Sequence, residues 1–434
     1  MNIKIGKLAL LLFCLQGVAF AQQGDPLTLQ EVIRLAQTQS LEAKASETKI
    51  KGRKLELDAS KNSLLPDAKL SGQYLAMTSP DVKLRIPVSS SSDPMDIKAN
   101  QLMLGQASVS MPIYTGGKIK NSIAAAGNAV KMEEFSALAL KDQLAEQGIS
   151  LYINLYKAQQ TALLMEENIK RSEQRVTDFK AMEANGIIPR NDLLKAELQL
   201  SNYKVSLQEA KKNANVLNYQ LVNFLKLDEA TQVSAINLDE APIAGDFSDV
   251  QTALANRNEL KALQAQHDIA LNKVNIEKSN ALPKIALTGG YAALDVHNLV
   301  TVKNAVNVGV GVSYDIGSLY KNKKNVNIAR NQVSQVDENV VIMNDKIKVQ
   351  VQQANENYHL TISQNQLYTE AVNQANENYR IVKDKYDNGV ADTDDLLEAD
   401  VQQLQSKINL AISKANTVEK YYDLLLVNGQ LTTK

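Results

Sequence analysis

The sequence predicts an α+β chain in which very long helices alternate with two pairs of short strands, with the whole order written twice. Three observations carry that prediction. Apolar residues recur at steps of four and three over tens of positions, four runs alternate with a period of two, and the turn "NGIIPRNDLLKAEL" at Asn185 returns as "NGVADTDDLLEADV" at Asn388.

The chain opens on what reads as a secretory leader over residues 1–21. Lys4 and Lys7 precede an apolar run from Leu8 to about Leu15, and Ala19-Phe20-Ala21 has the small-x-small form of a cleavage site. That run is too short for a membrane-spanning helix. Cys14, the single cysteine, falls inside it, so cleavage would leave a chain without thiolate or disulfide chemistry. The 47 basic and 48 acidic residues nearly cancel, which gives no reason to propose a nucleic-acid partner. Trp is absent and aromatic residues make up 5% of the chain, too few for a large compact core of bulky side chains.

A first repeat is read over 22–227. It has a helix, strands at about 67–77 and 103–114, a long helix at about 118–184 and a return helix at about 191–225. Within the long helix, Leu144, Gly148, Leu151, Leu155, Ala158, Ala162, Met165, Ile169, Ser172, Val176 and Phe179 form a coiled-coil seam. No proline interrupts Lys118 to Ala184, a stretch of roughly 100 Å at ~1.5 Å per residue.

Residues 228–434 are read as the end of a linker (about Lys226 to Phe247) and a second repeat. Its elements are a helix at about 247–280, strands at about 284–294 and 305–316, a long helix at about 320–387 and a return helix at about 393–428. Ile347, Val351, Ala354, Tyr358 and Thr361 restate the seam at an offset of 203 residues. Upstream, "NSLLPDAKLSGQY" around Pro66 matches "NALPKIALTGGY" around Pro283 at an offset of 217, and the extra segment Ser79–Pro94 accounts for the difference.

The strands have one apolar and one polar, mostly uncharged face. Val306, Val308, Val310 and Val312 alternate with Asn307, Gly309, Gly311 and Ser313. Each run is close to the ~9–11 residues that cross a bilayer as a tilted strand. A soluble antiparallel sheet with one face on a core has the same period. In a membrane, four strands cannot close, and lipid offers no partner to an open edge, so several chains would have to pool their strands. Two copies give a barrel filled by side chains and three leave a lumen; the sequence does not choose between them.

No catalytic, metal or cofactor constellation is present. His267, His297 and His359 lack ligand spacing, and "GVGVSYDIG" at Gly309 lies within a strand and lacks the third glycine of a dinucleotide loop. Neither an enzyme nor a cofactor is expected.

The duplicated order, the strand end "MPIYTGGKIKN" (Met111 to Asn121) and the paired "NG-x-x-x-x-D-LL-x-A" turns resemble the TolC-like outer membrane factors, over essentially the whole chain after the leader. The resemblance implies a homotrimer in outer-membrane lipid, with a twelve-strand barrel continued by a helical tunnel in the periplasm. It also implies a periplasmic adaptor and an inner-membrane transporter as partners, in drug efflux or type I secretion. A soluble periplasmic coiled-coil adaptor or scaffold is the alternative from another class.

The turns are the candidate site. Asp392, Asp394, Asp395 and Glu398 crowd the start of the second return helix, and repeated about an axis such carboxylates favour cations. Carboxylates at a helix start are equally explained as capping. The resemblance implies that Asp395 and Glu398 narrow the periplasmic aperture, with Glu where the family has Asp. It also implies a latch at Tyr386, whose arginine partner is replaced here by Ala391. Arg190, Asp192 and Lys195 on the first turn are candidates to hold the second. Asn185, Gly186, Asn388 and Gly389 are the candidate adaptor contacts.

Overall fold

A computed structural model of the chain describes residues 27–78, 99–234, 238, 249–297 and 299–431. The leader and the Ser79–Pro94 segment lie outside them. The elements run α1 (Leu29–Gln39), α2 (Leu41–Asn62), β1 (Asp67–Ala76), β2 (Gln101–Tyr114), α3 (Lys118–Ala184) and α4 (Arg190–Leu225). The same order then follows in α5 (Val250–Asn256), α6 (Asn258–Ser279), β3 (Lys284–Val296), β4 (Val300–Ser313), α7 (Ser318–Asp387) and α8 (Thr393–Val427). Among the described residues the protein is mostly helical with one small antiparallel sheet.

Two compact units share these helices. One comprises residues 1–40, 145–243 and 358–422; the other comprises 41–144, 244–357 and 423–434.

In the second unit the sheet is a meander, β1-β2-β3-β4, with each neighbour antiparallel. Directly paired residues share a face. Leu70 pairs with Ala107, Ala107 with Tyr291 and Tyr291 with Val306, so one row of apolar side chains crosses all four strands. Ala68, Val109, Gly289 and Val308 make the next row. The opposite face carries Lys69, Ser108, Gly290 and Asn307 in register. Among the described residues much of these apolar rows is left uncovered: Leu70 is 87% exposed and Val308 80%.

β4 starts earlier and ends earlier than the expected 305–316. Asn304 adopts φ 60°, and β4 holds one extra residue between its pairings with Ala292 and Leu294. That bulge turns Val302 to the face opposite Val306, which breaks the simple alternation by which the sequence marks a strand.

The single helix expected over 247–280 is two helices, α5 and α6. Arg257 leaves the helix at φ −58°, ψ 120°, and its guanidinium donates to the Val427 carbonyl near the end of α8, 3.3 Å away. Satisfying an orphan helix-end carbonyl compensates for the break. Below it, Ala253, Leu260, Ile347 and Val351 form a buried cluster.

In the first unit, Val32, Leu35 and Ala36 of α1 pack on Tyr152 and Leu155 of α3 and on Leu221, Val222 and Leu225 of α4. Gly148 makes this possible. A Cβ there would lie 3.2 Å from Ala36 Cβ and 3.3 Å from Val32 Cγ1, so the seam carries a glycine where α1 approaches α3. Among the described residues, no helix is long and apolar enough to cross a membrane.

Candidate functional site: the two helix–turn–helix tips

Both tips belong to the first unit and are built alike. At the first, Gly186 N–H donates to Glu183 O at 2.9 Å and Ile187 N–H to Met182 O at 2.9 Å. At the second, Gly389 N–H donates to Tyr386 O at 2.9 Å and Val390 N–H to Lys385 O at 2.8 Å. This is a Schellman end, and it requires the left-handed φ of 72° at Gly186 and 70° at Gly389. Asn185 and Asn388 each close the preceding turn, donating at 2.7 Å to the carbonyls of Ala181 and Asp384. All four turn residues are exposed, as are the apolar Ile187 (67%) and Val390 (74%) that follow them.

The helix starts differ. Pro189 precedes α4 without a side-chain cap. Asp392 caps α8: its Oδ1 accepts from Asp395 N–H at 2.9 Å, while Asp395 Oδ2 accepts from Asp392 N–H at 3.4 Å. This reciprocal pair is a capping box made of two aspartates. Asp395 therefore caps its helix while remaining exposed, as does Glu398, which accepts from Gln402 at 3.0 Å.

The tips are joined side by side. Lys195 Nζ lies 2.7 Å from Asp394 Oδ2, and the Thr393 hydroxyl donates to Asp192 Oδ2 at 2.8 Å. The hydrogen bond from Lys195 to Asp394 raises the lysine pKa above its ordinary value. Tyr386 stacks on Phe179 with ring centroids 5.7 Å apart, and burial raises its phenol pKa. Leu193, Ala196, Leu396 and Leu397 fill the space beneath. Of the sequence candidates, Asp192, Lys195, Tyr386 and Asp394 are thus drawn together, while Arg190 stays exposed and outside these contacts.

Sequence reasoning passed over Arg175. Its Nη2 lies 2.9 Å from Oδ1 of Asp400, which is fully buried. Tyr203 O–H and Asn168 Nδ2 donate to Asp400 Oδ2 at 3.0 and 3.4 Å, and Arg175 also donates to the Tyr379 hydroxyl at 3.1 Å. Burial alone would lower the Arg175 pKa; the hydrogen bond and charge of Asp400 outweigh it and raise it. The signal that would have found this node is an arginine beside a seam position, Val176, facing the one member of the acidic run that falls on the apolar stripe of α8.

The second half of the chain, residues 250–430, matches the outer membrane efflux protein family. That segment belongs to the outer membrane efflux proteins. The outer membrane efflux protein BepC of Brucella suis biovar 1 (strain 1330) is 23% identical over 326 residues, 74% of this chain and 70% of the relative. The fold is that of solved channels of this kind. The outer membrane protein VceC of Vibrio cholerae superposes with a TM-score of 0.77 at 14% identity, over 92% of this chain and 96% of that one. The CmeC outer membrane channel of Campylobacter jejuni does so with a TM-score of 0.76 at 17% identity, over 94% and 89%. The chain is thus similar to TolC-like outer membrane efflux proteins, and that likeness supports a place in the outer membrane.

Proposed function

We propose that three copies of this chain form a passive export duct. Each copy contributes four strands to a twelve-strand barrel in the outer membrane and two helical hairpins to a periplasmic tunnel, with each half of the chain as one structural repeat. The observation that carries this is the sheet. Its apolar rows are exposed along every strand, and the outer edges of β1 and β4 have no partner among the described residues. Lipid outside the rows and neighbouring copies at the edges satisfy both features together. A soluble sheet would leave Leu70 and the valines of β4 in water.

The energy for transport comes from an inner-membrane transporter reached through a periplasmic adaptor. Asn185, Gly186, Asn388 and Gly389 are the adaptor contacts, and the exposed Ile187 and Val390 give those turns an apolar surface for it. Asp392, Asp394, Asp395 and Glu398 form the constriction, repeated around the axis. Tyr386, Asp192, Lys195 and Arg190 are the residues that hold it closed, a reading supported by the Lys195–Asp394 and Thr393–Asp192 contacts.

The oligomeric mass of protein extracted by detergent from outer-membrane fractions tests this reading. Three copies that need detergent to stay dispersed agree with it. A monomer or dimer soluble in water would overturn it and return the sheet to the soluble adaptor or scaffold alternative.

A further inference from the structure

Of the five acidic residues from Asp392 to Asp400, four are exposed and one is fully buried. An α-helix turns ~100° per residue, so Asp395 and Glu398 point roughly 140° and 160° away from Asp400 around the axis of α8. The side chains that share the inner side with Asp400 are Thr393, Leu396, Leu397, Ala399, Gln403 and Leu404, all buried. Together they span an arc of roughly 160° at ~100° per residue. A helix rolled by part of a turn still buries most of so broad a stripe, so apolar burial specifies the roll of α8 loosely. Asp400 specifies it narrowly, because one carboxylate meets donors from two other helices, Arg175 and Asn168 on α3 and Tyr203 on α4, at 2.9, 3.4 and 3.0 Å. Gln199 of α4 adds a fourth tie, donating to the Leu397 carbonyl at 3.1 Å.

We propose that the buried Arg175–Asp400 pair is a positioning device that sets the rotational register of α8, and through it the direction in which Asp395 and Glu398 are presented. The consequence for selectivity rests on the reading of those two carboxylates as a constriction. A buried ion pair is weak evidence for stability, since apolar residues of similar volume often replace it without loss; its best-attested use is to specify register. The role therefore separates from folding. Replacing both charges leaves the bundle folded and removes what chooses one roll over its neighbours.

The experiment uses the full chain with Cys14→Ala, which removes the single cysteine. Leu397→Cys and Glu398→Cys are introduced separately, with and without Arg175→Met/Asp400→Leu. The rate of modification by a charged methanethiosulfonate is measured, and the cation-to-anion permeability ratio is recorded in planar bilayers for the same pair without the introduced thiols. With the ion pair intact, the thiol of the Glu398→Cys variant reacts and that of the Leu397→Cys variant is protected. Without it, the Leu397→Cys thiol loses its protection and the permeability ratio falls toward that of Asp395→Asn, in protein that still assembles. Continued protection of that thiol in assembled protein overturns the proposal. Should the double variant not assemble, Tyr203→Phe is measured in the same way: faster labelling of the Leu397→Cys thiol supports the register role and an unchanged rate overturns it. If the unmodified channel shows no cation preference, the constriction reading fails, and the labelling of Leu397→Cys still decides the register.

Discussion

Lys195 on α4 and Asp394 on α8 form an ion pair at 2.7 Å, a direct charged link between the two tips. The Lys195 side chain is 37% exposed and that of Asp394 66%, so salt screens the pair and it adds little to stability. Lys195→Ala is therefore predicted to leave the melting temperature nearly unchanged while raising channel conductance, with the difference fading at high ionic strength. The lysine pKa is raised, so the pair contributes fully below pH 10.5 and is lost as pH rises through the raised value. Conductance measured between pH 8 and 11 checks this.

Asp395 both caps α8 and stands exposed. Asp395→Lys is predicted to raise anion conductance across a bilayer. Asp392→Ala, which removes the acceptor for Asp395 N–H, is predicted to destabilise the tip by about 1 kcal/mol. Unchanged ion selectivity in Asp395→Lys would remove the constriction role and leave capping as the whole explanation.

Gly429 ends α8 at φ 65°, and a Cβ there would stand 2.9 Å from Asn256 Cβ and 3.0 Å from the Asn256 carbonyl carbon. Gly429→Ala meets both a left-handed backbone and fixed main-chain atoms. The predicted cost is about 1–3 kcal/mol, read as a lowered denaturation midpoint.

Tyr203 donates to the buried Asp400, and burial, followed by the Asp400 charge, raises its pKa above the ordinary 10.0. Below pH 10 the folded and unfolded chains both hold the proton. Above it the unfolded chain releases the proton while the folded chain retains it, so stability falls as pH rises. Tyr203→Phe is predicted to flatten that alkaline loss, measured by denaturant unfolding between pH 9 and 12.

Leu221 is fully buried between α1, α3 and α4. Leu221→Ala removes apolar volume from that contact and is predicted to cost about 2–5 kcal/mol, checked by thermal unfolding in detergent.

Much of this architecture is legible as period. A seam step of four and three can be satisfied only by helix packing, and the seam residues Leu144, Leu155, Val176 and Ile347 are indeed buried. The tip glycines are legible because a Schellman end needs a left-handed residue. The breaks are less so. Arg257 ends a helix because of a carbonyl far along the chain at Val427, and Asn304 shifts β4 because of its partner strand. Local composition carries neither message.

The sequence by itself determined the helical seams, the alternating strands and the two matching turns, because each follows from spacing along one segment. Only the tertiary structure decided which charges meet. Asp400 sits in the same acidic run as Asp395, and composition treats them alike. Packing against α3 and α4 buries one and pairs it with Arg175, 225 positions away, while the other turns outward. A helix offers all its faces equally until neighbours cover some of them, and that choice is made by contacts distant in sequence.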